Sequence, residues 1–204
     1  TGIVSCRPFR TPHHTATVPA LTGGGAGARP GEVSLAHNGV LFLDEMPEYQ
    51  RRTLETLRQP IEDGCVTVSR SKITAEYPAK FMLVASMNPC PCGNLGSKRQ
   101  QCRCTPAEVR RYVNKLSGPL LDRIDIHIEV DGIDYDELRG NDKAESSADI
   151  KARVEQARAV QRKRYEGSGI YVNARMTNAH IKRYCDLSPE CEKVLRAAYE
   201  RLNL

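Results

Sequence analysis

The heptapeptide Gly39-Val40-Leu41-Phe42-Leu43-Asp44-Glu45 limits what this chain can fold into more than any other stretch. An uncharged, mostly apolar run ends abruptly on two adjacent carboxylates. A run this short, bounded by turn signals, predicts a strand buried on both faces, as in a parallel sheet covered by helices. In such sheets ligands sit at the carboxyl ends of the strands, which is where Asp44 and Glu45 fall. The pair also has the form of a Walker B element, whose first acid holds Mg²⁺ on a nucleotide and whose second orients or activates water. The same seven residues describe equally well a core strand followed by an acid-rich helix start. On their own they do not separate the two.

A second apolar run, Phe81 to Met87, ends on the polar Asn88. Between the two runs, Leu54, Leu57 and Ile61 recur at helical spacing and Asp63-Gly64 closes the helix. The alternating segments Cys65–Ser69 and Ile73–Glu76 predict a β-hairpin. Its tip carries Arg70 and Lys72, either a solvated end or one that touches a nucleic-acid backbone. Two buried strands joined through a helix and a hairpin predict an α/β fold with a parallel sheet. Upstream, the run Gly23-Gly24-Gly25-Ala26-Gly27 lacks the Gly-Lys-Ser/Thr ending of a phosphate-binding loop and is read as a mobile loop or insertion. The adjacent His13 and His14 are expected to bond locally rather than to pair on a metal. Glu32 to Asn38 predicts a short helix.

Four of the eight cysteines fall in one polar segment, as Cys90-Pro91-Cys92 and Cys102-Arg103-Cys104. Two C-x-C units could close a tetrahedral Zn²⁺ site that staples a loop with no core of its own; the alternative is a loop of free thiols. Hydrophilic surroundings favour the metal, since buried free cysteines sit among apolar side chains. Thr105-Pro106 opens a helix through Val109, Tyr112, Val113 and Leu116. The strict alternation of Ile124 to Val130 predicts a further strand. The expected organisation is a core over 1–131 with a cysteine-rich loop at 89–105, a linker over 132–149, and helices over 150–204. A basic amphipathic helix is expected from Ile150 and Val154, a short one from Asn178, and a last one from Ser188-Pro189-Glu190. The last has a buried stripe of Val194, Leu195, Ala198, Tyr199 and Leu202. The formal charge of +5 permits an acidic partner without requiring one. No apolar run approaches the roughly 20 residues of a membrane helix, and no signal peptide is visible, so a cytoplasmic protein is expected.

Taken together, these segments resemble the magnesium-chelatase-like AAA+ ATPases, in the ComM/YifB group of bacterial proteins. The resemblance is carried by Arg7-Pro8-Phe9-Arg10, Pro12-His13-His14, Gly23-Gly24-Gly25, and Pro30 through His37. It continues through Gly39 to Glu45, Leu57-Arg58-Gln59-Pro60, Asn88 to Gly93, and Ser117 to Arg123. It implies an AAA+ P-loop-type sheet with hairpin insertions and a helical lid. It also implies a ring, hexameric in the full-length protein, that couples ATP hydrolysis to remodelling or translocation of DNA. Asp44 matches the Mg²⁺-coordinating acid and Glu45 the water-activating one. Asn88 matches the sensor residue that positions water near the γ-phosphate. Arg123 matches the arginine finger that reaches a neighbouring subunit's nucleotide. The hairpin with Arg70 and Lys72, and the glycine-rich region, match pore-side insertions.

One departure stands out: no G-x-x-x-x-G-K-[ST] occurs in the 204 residues. In the family that loop lies before the position of Thr1, and the nucleotide-sensing lid arginine lies beyond Leu204. Without the phosphate cradle, the chain by itself is expected to be inactive. Two other functions compete. One is a chelatase-type ATPase subunit that drives metal insertion; the other is a non-enzymatic, zinc-stapled module that binds nucleic acid.

Overall fold

The computed structural model describes residues 6–70, 73–97, 99–130, 132 and 145–202. The chain divides into two compact units, Thr1–Tyr135 and Asp136–Leu204.

In the first unit, β4 (Val40–Leu43) is the middle strand of a three-stranded sheet. It pairs in parallel with β1 (Phe9–Arg10) on one side and β7 (Met82–Ala85) on the other. The fold is α/β with a parallel sheet. The register Leu41↔Leu83 and Leu43↔Ala85 puts one set of side chains on a common face. There Leu41 and Leu43 are fully buried against Leu21, Val33, Leu54, Leu57 and Leu120. Each such side chain contributes about 1.5–3 kcal/mol on removal from water. The other face is open. Phe9 and Met82 are 62% and 60% exposed, and Phe9 stacks on Phe42 at 6.2 Å between ring centres. The expectation of two covered faces therefore holds for one, because the described helices add their apolar residues to the Leu41–Leu43 side.

Entry into β4 is tight. Asn38 sits at φ +60°, and a Cβ on Gly39 would run into the Pro8 carbonyl. That carbonyl accepts the Val40 N–H at 2.9 Å. Only glycine allows the two strands to approach so closely there.

Past β4, the helix predicted through Leu54, Leu57 and Ile61 is two helices, α3 (Arg51–Glu55) and α4 (Arg58–Asp63). Pro60 explains the break: it offers no N–H and its ring crowds the carbonyl four residues back. Gly64, left-handed at φ +67°, ends α4 by donating to the Pro60 carbonyl at 3.0 Å. The predicted hairpin follows as β5 (Cys65–Arg70) and β6 (Ile73–Pro78), antiparallel from Cys65↔Pro78 to Arg70↔Ile73. Its tip, Ser71 and Lys72, lies outside the described residues. The glycine run is more ordered than a mobile loop: β2 (Gly23–Gly24) pairs with β3 (Arg29–Pro30). The turn between them is tied down by Tyr77, whose hydroxyl donates to the Ala28 carbonyl at 2.8 Å.

Beyond the cysteine segment, α5 (Pro106–Val113) opens with a reciprocal cap: the Thr105 hydroxyl accepts the Glu108 N–H, and the Glu108 carboxylate accepts the Thr105 N–H. α6 (Gly118–Leu121) buries Leu120. The strand predicted over Ile124–Val130 does not form, and Ile126, Ile128 and Val130 are exposed. Alternation supplies only a strand's pattern, and no described strand pairs with this segment.

The second unit contains helices Ser147–Arg164, Asn178–Tyr184 and Pro189–Leu202. Tyr165 is its buried centre, with its hydroxyl on Asn173 Oδ1 at 2.9 Å and its ring edge-on to Tyr184 at 5.5 Å. The stripe expected to be buried on the last helix is not: Val194, Leu195, Tyr199 and Leu202 are exposed. Among the described residues no helix is long and apolar enough to cross a membrane.

Candidate functional site

The carboxylate pair stands at the carboxyl end of the middle strand. Asp44 Oδ1 accepts the Ser86 hydroxyl at 2.5 Å and the Glu45 N–H at 3.1 Å. Ser86 Oγ also accepts the Glu45 N–H, at 3.1 Å. Ser86 is held in turn by its own backbone: its N–H donates to the Leu43 carbonyl at 3.0 Å and its carbonyl accepts the Met46 N–H at 2.9 Å. These bonds fix Glu45 at φ 49°, ψ 49°, left-handed for a residue with a side chain. Such a conformation persists only where its surroundings over-determine it, and it clusters at functional sites. A 3-10 turn, Met46–Glu48, carries the chain away from the site. Both carboxylates are exposed, and among the described residues neither pairs with a lysine or arginine. Two open carboxylates backed by a hydroxyl form an all-oxygen donor set of the kind Mg²⁺ takes together with water and phosphate.

The segment after β1 covers the other flank. Tyr49, buried at the end of the 3-10 turn, donates its hydroxyl to the Pro12 carbonyl at 2.5 Å. Burial, with the Asp44 charge adding to it, pushes that phenol up to about 12. His14 packs edge-on against Tyr49 at 6.4 Å, and its Nδ1 lies 4.0 Å from Glu45 Oε2.

Asn88 follows β7 by three residues, with an exposed side chain. Its backbone N–H reaches the buried Tyr112 phenol of α5, whose pKa burial raises and this bond opposes. Lys115 Nζ, just past α5, pairs with Glu48 at 3.3 Å. The two contacts join α5 to both sides of the carboxylate end. Arg123 is engaged elsewhere. One guanidinium nitrogen pairs with Glu62 of α4, another donates to the Pro119 carbonyl, and its Nε is buried without a partner. It makes no hydrogen bond to Asp44, Glu45 or Asn88. Arg70, at the end of β5, lies over Gly24, where a Cβ would crowd its guanidinium, and bonds its neighbour's carbonyl at 3.0 Å. Lys72 lies outside the described residues.

The cysteine segment closes on itself. Sγ of Cys90 lies 3.4 Å from that of Cys92 and 3.6 Å from that of Cys102, and Cys92 and Cys102 are 3.7 Å apart. With Cys104, all four sulfurs lie within 4.8 Å of one another. A tetrahedral ion with metal–sulfur bonds of about 2.3 Å sets its ligands about 3.8 Å apart, so the cluster can hold a metal. Backbone N–H groups of Arg103 and Asn94 bring the Cys92 thiol down to about 6, while burial pushes Cys104 up to about 12.

Sequence reading did not single out Ser86, Tyr49, Tyr112 or Glu62 as parts of these arrangements. It assigned both His13 and His14 to local bonding, which describes His13, whose Nδ1 meets Thr15 Oγ1 at 2.9 Å, while His14 lies nearer Glu45. A serine standing two residues before Asn88, at the matching end of a parallel strand, was the one available signal for Ser86.

A parallel sheet with acids at its central carboxyl end accords with what comparison finds. The family model described as magnesium chelatase, subunit ChlI, matches residues 1–138, and its C-terminal counterpart matches 144–204. The chain belongs to this magnesium chelatase family. Within it, the chain is similar to the ComM and YifB proteins. It is 45% identical over 199 residues to the uncharacterized protein YifB of Salmonella typhimurium, covering 97% of this chain and 38% of that one. It is 43% identical over 199 residues to the competence protein ComM of Haemophilus influenzae, with the same coverage of both. The magnesium-chelatase subunit ChlI of Porphyra purpurea is more distant, 31% identical over 120 residues, 59% of this chain and 28% of that one. The chain thus spans about 38% of the length of these YifB and ComM relatives.

Proposed function

We propose that this chain supplies the hydrolytic half of an ATP site in a ring-forming motor of the AAA+ type. The observation that carries the reading is the pair Asp44 and Glu45 at the end of β4, with Ser86 and Asn88 at the end of the adjacent parallel strand. In this reading Asp44 holds Mg²⁺ on the nucleotide, Glu45 activates water and Asn88 places that water against the γ-phosphate. Mg²⁺ supplies charge neutralisation on the phosphates when bound; Ser86 keeps Asp44 turned toward it. Arg123 acts across a subunit boundary in the full-length assembly, a hexamer, after leaving Glu62. The phosphate-cradling loop is not among these 204 residues, so the isolated chain is expected to be inert. The test is Mg²⁺-dependent ATP hydrolysis by the full-length protein. No turnover there, or comparable turnover by the 204-residue chain alone, overturns the reading.

DNA is the proposed substrate, supported by the basic end of the β5–β6 hairpin. A phosphate contact from Arg70 predicts that R70A weakens DNA binding similarly across sequences. It also predicts that the slope of log affinity against log salt falls by about one. An unchanged slope removes Arg70 from the interface. Identity of 43–45% to the ComM and YifB proteins, against 31% to the chelatase subunit, weighs against a metal-insertion role. The four-thiol cluster is proposed to hold a structural Zn²⁺, which all-sulfur tetrahedral sites select.

A further inference from the structure

Away from the carboxylates, α3 and α5 border a cleft of about 560 Å³. It is lined by Arg51 from the start of α3, by Ala107, Arg110, Arg111 and Asn114 of α5 and its cap, and by Lys115 just beyond. Four of these side chains are cations, one is an amide, and none is an acid. Ala107, Arg110, Arg111 and Asn114 share one side of α5, at the three- and four-residue spacing of a helix face, and Tyr112 is buried on the other. We propose that this cleft is a binding site for the sugar–phosphate backbone of DNA, in addition to the contact assigned to Arg70. The proposal rests on the DNA reading above.

Helix stability does not account for the cations. Arg110 and Arg111 stand in the last turn of α5, where the partial negative charge of the helix end favours them. Arg51 opens α3 with no acid in its first turn, at the end where a cation is disfavoured. Nor is the charge neutralised from within. The two nearby acids are turned to other partners: Glu55 accepts from Arg58 at 3.2 Å, and Glu108 accepts the Thr105 N–H at 2.7 Å and the Thr105 hydroxyl at 2.9 Å. Among the described residues Arg51, Arg110 and Arg111 form no ion pair. Like charges gathered in this way repel one another, and a bound polyanion relieves that repulsion.

The lining selects a backbone over a nucleotide. Ala107 is the one apolar side chain of the six, so no slot for a base exists. Tyr112 is buried and offers no platform on which an unpaired base could stack. What remains is positive charge and N–H donors, which take phosphate oxygens and carry no sequence information. From Ala107 to Lys115 the row runs about 12 Å at about 1.5 Å per residue. That is room for about three phosphates of one strand, spaced about 3.4 Å apart along a duplex. Lys115 also pairs with Glu48, three residues past Glu45, so the cleft and the carboxylate turn share a cation.

Two measurements on the full-length protein test the site. The first is DNA affinity as a function of salt, with duplexes of several sequences. R110A/R111A is expected to weaken binding on the order of tenfold, equally for every sequence, and to make the slope of log affinity against log salt shallower by about two. The same loss of charge at Lys193 and Arg196, on the last helix, is expected to leave the slope within about half a unit of the original. A slope unchanged by R110A/R111A, or lowered equally by the distant pair, overturns the proposal. The second measurement uses unmutated protein and so does not depend on the variant folding. Modification by phenylglyoxal, read by peptide mass, is expected to be suppressed by DNA at Arg51, Arg110 and Arg111 and not at Arg196. Equal modification with and without DNA overturns the site, and suppression by ATP in place of DNA gives the cleft to a nucleotide and overturns it too. If R70A weakens DNA binding while the cleft variants do not, the DNA reading stands and this site falls. A full-length protein that binds no DNA defeats both.

Discussion

Replacing Glu45 with glutamine in the full-length protein will lower ATP turnover by about 10²–10⁴-fold and leave ATP binding near its original strength. The substitution keeps the side chain's size and its reach and removes only its capacity to take a proton. Asp44, the proposed Mg²⁺ ligand, keeps its bond from Ser86, so the metal side of the site stays as it was. The Glu45 backbone N–H, bonded to both Asp44 Oδ1 and Ser86 Oγ, is equally unaffected. The prediction therefore separates two quantities that a misfolded site would lose together. Turnover by steady-state assay and affinity by titration with a fluorescent nucleotide check it. Unchanged turnover removes Glu45 from the chemistry; affinity lost in parallel with turnover recasts it as a binding residue.

The second large effect concerns the thiol cluster. Protein purified under reducing conditions is expected to carry about one Zn²⁺ per chain, and Cys90→Ser to carry almost none. Metal-loaded sites of this kind have apparent binding free energies of about 10–16 kcal/mol in small peptides, where binding and folding are one event. Here the dependence should be local. Between Pro91 and Cys104 no described side chain is more than partly buried, and Leu95 points into solvent. The metal is then the main source of order in the segment. Chelation is expected to open it to proteolysis while the sheet and its Leu41–Leu43 core survive. Element analysis and limited digestion read the two halves of this expectation. Reduced, metal-free protein with an intact segment sinks the site. Because Cys90 lies two residues after Asn88, and α5 bonds Asn88 through Tyr112, loosening the segment should also reach the proposed water-positioning residue.

Much of this architecture is legible in the chain because it depends on local pattern. A short apolar run stopped by two acids, a second stopped by Asn88, and a β-branched hairpin between them define the parallel sheet and the end at which a site can lie. The four thiols are equally legible, since their spacing brings them together with little help from the rest of the fold. What could not be read depends on distant partners. Ser86 is 42 positions from Asp44, and only the β4–β7 register brings them together. His14 meets Glu45 because β1 pairs beside β4, and two adjacent histidines in sequence give no sign of which one turns inward. Ile124–Val130 has the alternation of a strand yet lacks a strand to pair with, and the stripe on Pro189–Leu202 has apolar spacing without a covering surface. The helix predicted from Leu54, Leu57 and Ile61 is split in two, because periodicity alone takes no account of Pro60.

Glu45 also has a bearing on how this protein would respond to selection for robustness. A glutamate in the left-handed region costs about 1–2 kcal/mol relative to ordinary helical backbone, and asparagine or glycine fits there more easily. Function and thermal endurance thus pull in opposite directions at this position. A library screened only for heat tolerance would tend to discard the acid on which the chemistry is proposed to turn. Any hardened variant of this chain should have position 45 sequenced before its activity is interpreted.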